Sequence, residues 1–154
     1  MVQTRQEPTI ATVLGKAPMG QTQSNHAQQI GKVLLIDDDP VFRAIFSKLA
    51  SEDGLEVDAF DSMLEVEPFS RISTYRGVIF DYHLAQLDGI ELASHLETIF
   101  GGVPMLLVSA DSDAERNMRE RCPGVFGAFM SKKEGGRRII SKIREMIVGH
   151  CHAN

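Results

Sequence analysis

No run of about 18 apolar residues occurs anywhere in the chain, so no segment is long and apolar enough to cross a bilayer as a helix. The stretch after Met1 lacks the continuous apolar core and small-residue cleavage site of a secretory signal, and a cytoplasmic location without membrane insertion is expected. Cysteine is scarce: Cys122 and Cys151 have no metal-ligand spacing, and free thiols are expected rather than a structural disulfide. Basic residues form no stripe, and 16 Lys and Arg stand against 21 Asp and Glu for a net charge of -5, so direct nucleic-acid contact is not expected. What remains is a globular composition, 43% hydrophobic and 24% charged, in 154 residues that suffice for one ordinary core and not for two.

Residues 1–31 hold six Gln, no aromatic residue and the punctuation of Pro8, Gly15, Pro18 and Gly20, too little apolar density to offset the entropy of ordering them. They read as a flexible N-terminal extension; a short docked helix over 10–14 and a true start at Met19 are the alternatives. Residues 32–150 are then expected to form one domain, with no output domain fused after it.

Within that domain short apolar runs alternate with amphipathic stretches. Residues 33–36 predict a buried strand, and Pro40 opens a helix with Val41, Phe42, Ile45, Phe46 and Leu49 at helical spacing, closed by Gly54. Residues 55–60 alternate as a second strand, and Asp61 or Ser62 caps a short helix through Met63, Leu64 and Val66. A third strand over 77–80 precedes the Asp88-Gly89 turn and a helix marked by Ile90, Leu92, Leu96 and Ile99. Strands over 105–108 and 128–130 flank a charged helix over 111–121, expected to be the most solvated and least firmly packed; Ile139, Ile140, Ile143, Met146 and Ile147 line the last helix. Five nearly all-apolar strands alternating with five helices predict an α/β fold, a parallel sheet covered on both faces, with any ligand outside the carboxyl ends of its strands.

At those ends stand Asp37 and Asp38, Asp81, Ser109 and Lys132. Three convergent carboxylates resist ionising together, and a divalent cation is their natural partner; Mg²⁺ suits an all-oxygen set better than a thiolate or imidazole metal does. Each residue also has a plainer use. Asp37, Asp38 and Asp39 before Pro40 fit a helix N-terminus, Asp81 a strand-end cap, Ser109 a helix cap, and Lys132 a solvated lysine beside Lys133.

The stretches KVLLIDDDP (32–40), GVIFDYHLAQLDGIEL (77–92), PMLLVSA (104–110) and GAFMSKK (127–133) together resemble the receiver domain of two-component response regulators, of the single-domain, chemotaxis-regulator-like kind. The resemblance implies a flavodoxin-like doubly wound sheet of five strands in the order 2-1-3-4-5. It implies that Asp81 is the phosphoacceptor and a ligand of Mg²⁺, with Asp38 binding the ion directly, Asp37 largely through water, and His83 through its backbone carbonyl. Ser109 and Lys132 would contact phosphoryl oxygens, and Ser109 and Phe129 would be the switch pair. The implied donor is a histidine kinase or histidine phosphotransfer protein, and the implied output is a changed surface for a downstream protein target, with no turnover beyond the domain's own phosphorylation and dephosphorylation. Three positions depart from the family pattern: Lys133 replaces a usual proline, Ala85 another, and Phe129 lacks the phenolic hydroxyl of the commoner tyrosine.

Two other readings share these residues. A Mg²⁺-dependent aspartyl-nucleophile phosphatase or phosphotransferase usually needs a second carboxylate two residues after the nucleophile, where this chain has His83. A flavodoxin-like carrier needs a Gly- or Ser/Thr-rich phosphate loop, where this chain has Asp37-Asp38-Asp39.

Overall fold

The computed structural model describes residues 31–66, 69–84, 95, 97–98, 101–121 and 127–151. The expected N-terminal extension, apart from Gly31, lies outside the described residues, as do Cys122 and most of the predicted helix over 90–99, of which His95, Glu97 and Thr98 are helical.

Five parallel strands, β1 (Lys32–Ile36), β2 (Glu56–Phe60), β3 (Tyr75–Asp81), β4 (Met105–Ser109) and β5 (Ala128–Ser131), form one sheet in the order β2-β1-β3-β4-β5, as expected. Alternation along β1 sends its side chains to opposite faces. Val33 and Leu35 join Phe46, Ala50, Ile139 and Ile143 in one apolar cluster. Leu34 and Ile36 join Ile72, Phe80, Tyr82, Ala114 and Met118 in the other. Helices α1 (Pro40–Glu52) and α3 (Gly136–Cys151) supply the first cluster, and α2 (Ala114–Arg121) supplies Ala114 and Met118 to the second. The parallel register sets Ile36 between Phe60 and Phe80, Asp81 beside Val108, and Ser109 beside Ser131, which aligns the strand ends that carry polar groups. No helix among the described residues is long and apolar enough to cross a membrane.

Local chemistry explains the joints. Asp39 caps α1, its Oδ1 accepting from the N–H groups of Val41 at 2.8 Å and Phe42 at 3.3 Å. Gly54 closes the helix at φ +70°, a conformation that suits glycine. Gly77 lets α3 lie close on β3, because a Cβ there would meet Ile143 Cδ1 at 3.0 Å and Ile147 Cδ1 at 3.1 Å.

Three expectations are corrected. Val41 and Ile45 are 63% and 55% exposed, so the core face of α1 is Phe46 and Ala50 flanked by Phe42 and Leu49. The short helix after β2 is a single 3-10 turn, Met63–Glu65, capped by Ser62, and a second such segment, Phe69–Thr74, leads into β3; Pro68 in between has no N–H to extend a helix. The charged helix starts at Ala114 rather than residue 111, because Asp111 Oδ1 accepts from Asp113 N at 2.9 Å in a turn of its own.

Candidate functional site

The carboxyl edge of the sheet gathers side chains from β1, β3 and the turn after β5. Asp37 follows β1 directly, its N–H donating to Phe60 O at 3.1 Å and its carbonyl accepting from the Arg43 guanidinium of α1. Its carboxylate is wholly buried, with Oδ1 accepting from Asp39 N at 3.0 Å. Asp38 is exposed, and Asp81 at the end of β3 is 5% exposed. Ligand oxygens of Asp37, Asp38 and Asp81 all lie within 4.8 Å of one another. Asp39, spent on capping α1, takes the plain structural use.

Lys132 is not a solvated lysine. Ser131 and Glu134 close a capping box around the 3-10 turn Lys132–Glu134. The Lys132 ammonium, its side chain 15% exposed, sits 2.6 Å from Asp37 Oδ2 and 3.0 Å from Asp81 Oδ1. It also lies 4.5 Å from the centroid of the Phe42 ring, a cation–π contact that desolvation strengthens. Although the Lys132 approach to Asp37 Oδ2 is short, that oxygen has no well-directed hydrogen bond, so the contact is an ion pair rather than an aligned donor–acceptor bond.

The charges do not balance. Three carboxylates face one ammonium, so the group carries a charge of -2 when all are ionised. Burial pushes the Asp37 carboxyl above its ordinary value, outweighing the downward pull of Lys132. Burial alone would lower the Lys132 ammonium, but Asp37 and then Asp81 outweigh it and hold it above its ordinary value. Both directions express one excess of negative charge in a place short of water. An all-oxygen donor set, a buried Asp37 oxygen without an aligned donor and an uncompensated double negative charge fit a hard divalent cation such as Mg²⁺.

Around this centre, Ser109 at the end of β4 is fully buried, and its Oγ accepts from Asp111 N at 3.0 Å, so it does serve the local turn. Phe129 of β5 is half-buried against the cluster that includes Phe80, Ala114 and Met118. The His83 side chain is 62% exposed, with Nε2 3.3 Å from Asp111 Oδ2. The Asp113 amide, and after it His83, holds the Asp111 carboxyl below its ordinary value. Sequence reasoning missed Phe42 and Arg43 as neighbours of the site. Their apolar and charged types are ordinary for a helix surface, and only the fold, which packs α1 against β2 and α3, brings Phe42 to Lys132 and Arg43 to Asp37.

A family model for the response regulator receiver domain matches residues 33–144. The virulence-factor regulator BvgA of Bordetella pertussis is 27% identical over 124 residues, which is 79% of this chain and 58% of that protein, so the chain spans little more than half the length of such curated relatives. Among solved structures, a receiver domain from Clostridium thermocellum has the same fold, with a TM-score of 0.70 at 19% identity over 80% of this chain and 99% of that one. The response regulator TrrA of Thermotoga maritima, solved in complex with Mg²⁺ and BeF, gives a TM-score of 0.64 at 20% identity over 75% of this chain and 98% of that one.

Proposed function

Because this chain belongs to the response-regulator receiver family, we propose that it acts as a switch in which Asp81 accepts a phosphoryl group in a Mg²⁺-dependent reaction. The observation that carries the assignment is the Lys132 ammonium set between Asp37 and Asp81, beside Asp38, where the first, third and fifth strands end. Asp37, Asp38 and Asp81, with the His83 backbone carbonyl, would hold the cation, which when bound supplies positive charge against the phosphoryl oxygens.

Asp81 is the nucleophile: its carboxylate oxygen bonds to phosphorus as the P–N bond of a donor phosphohistidine, or the bond to the leaving group of a small phosphodonor, breaks. Charge in that loose transition state spreads over the equatorial oxygens, so the chain contributes by positioning and neutralisation. The Lys132 ammonium, kept protonated by its two carboxylates, faces those oxygens. The Ser109 hydroxyl then turns to the new oxygens, Phe129 takes up the space this leaves, and the surface of α2, β5 and α3 is re-presented to a downstream protein. Val41 and Ile45, exposed on the first two turns of α1 next to Asp38, give a histidine kinase or phosphotransfer protein an apolar contact beside the acceptor. The domain undergoes its own phosphorylation and dephosphorylation and turns over no separate substrate.

Incubation with acetyl phosphate tests this reading. Hydroxylamine-sensitive label should appear with Mg²⁺, vanish with EDTA and vanish in Asp81→Asn. Undiminished label in that variant, or steady turnover of a phosphomonoester, would overturn it.

A further inference from the structure

Tyr82, next to the acceptor, has no part in the switch described so far, yet it is among the most firmly placed residues near the site. Its ring is 6% exposed, in the cluster that holds Ala114 and Met118 of α2. Its N–H donates to Val108 O at 2.9 Å, tying it to β4. From that anchored position its hydroxyl accepts from Asn117 Nδ2 of α2 at 3.1 Å, joining residues 35 positions apart. His83 adds a second link: its ring packs edge-on to Tyr82 with centroids 4.4 Å apart, and its Nε2 is 3.3 Å from Asp111 Oδ2. Asp111 donates its N–H to Ser109 Oγ at 3.0 Å. The turn into α2 is therefore attached to Ser109, which moves in the proposed switch, while α2 itself is attached to Tyr82, which the core holds still.

We propose that the Tyr82 hydroxyl is a positioning group, a latch that keeps α2 in its resting place through Asn117 until the acceptor is occupied. The latch rests on the reading of Asp81 as phosphoacceptor. The His83–Asp111 pair is exposed, and such pairs contribute little. The Tyr82–Asn117 bond is part-buried, and one neutral hydrogen bond of that kind corresponds to a factor of about five in an equilibrium constant.

Tyr82→Phe removes the oxygen and keeps the ring. The measurements are the affinity for beryllium fluoride in saturating Mg²⁺, by titration calorimetry, and amide exchange over Ala114–Arg121. Tyr82→Phe should bind beryllium fluoride about five-fold tighter and exchange faster in α2 before ligand is added. Asn117→Ala should do the same, and the double variant no more than either single one. Unchanged affinity in both variants, even with a lowered Tm, would overturn the latch by reducing the bond to a structural role, and so would effects that multiply in the double variant. Failure of the wild-type protein to bind beryllium fluoride is a separate outcome, which overturns the acceptor reading and the latch with it.

Discussion

Replacing Asp38 with Asn should change stability in opposite senses with and without a divalent cation. The ligand oxygens of Asp37, Asp38 and Asp81 lie within 4.8 Å, and Lys132 pairs with the other two, leaving Asp38 with no ion pair among the described residues. Two unit charges at that separation repel by about 0.9 kcal/mol at the dielectric constant of water, and by about 3.5 kcal/mol at an effective value of about 20. Asp38 is exposed, so the lower figure governs, and its two repulsions sum to about 1–2 kcal/mol. The Lys132 charge held against those two carboxylates offsets part of this, so Asp38→Asn should raise the stability of the cation-free protein by about 1 kcal/mol, about 3–5 °C in Tm for a domain near this size. In Mg²⁺ at about 100 times its Kd the wild-type protein gains about 2.7 kcal/mol, and the variant, short of a ligand, gains much less, so their order inverts. Thermal unfolding followed by circular dichroism, in EDTA and in MgCl₂ at matched ionic strength, reads both effects. A variant no more stable than wild type in EDTA, or one that gains as much from Mg²⁺, would refute the electrostatic reasoning.

Lys132→Met leaves Asp37 and Asp81 buried without their shared ammonium and should lower cation-free stability by about 3 kcal/mol in urea unfolding; an unchanged midpoint would show that the ion pairs add nothing in solution. Gly77→Ala puts a methyl about 3 Å from Ile143 and Ile147 and should reduce stability by about 1–2 kcal/mol as α3 is pushed from β3, so a urea midpoint equal to wild type would contradict that close packing. Asp37, its carboxyl raised mainly by burial, holds its proton more tightly in the folded chain than in the unfolded one. It therefore penalises the cation-free fold above its folded pKa, and the penalty lifts as pH falls through that value. In EDTA the stability of Asp37→Asn relative to wild type should rise as pH is raised above the ordinary aspartate value of about 3.9, and a difference independent of pH would refute this.

Much of the architecture was legible because it rests on short-range signals. Continuous apolar runs mark β1, β3 and β4, and a polar residue ends each one, so the edge carrying Asp37, Asp38, Asp81 and Ser109 follows from strand order alone. The face of α1 was less legible. Val41, Phe42, Ile45, Phe46 and Leu49 make an apolar stripe wider than the surface the sheet can cover, and periodicity does not say which edge of a wide stripe stays in water. The 3-10 turn at Met63–Glu65 looks like a helix in sequence because a Ser cap and three apolar residues signal a helical start whether or not it propagates. Contacts such as Tyr82 to Asn117, Lys132 to Phe42 and His83 to Asp111 were not legible, since each joins distant positions through the packed fold.

The position of the phosphoryl group decides the central assignment most directly. After incubation with acetyl phosphate and Mg²⁺, reduction with sodium borohydride converts an aspartyl phosphate into homoserine, which tandem mass spectrometry locates in the digested chain. Homoserine at position 81 alone is the result expected. Homoserine at position 37 or 38, or a labelled protein whose position 81 remains unmodified aspartate, would contradict the assignment of Asp81 as acceptor.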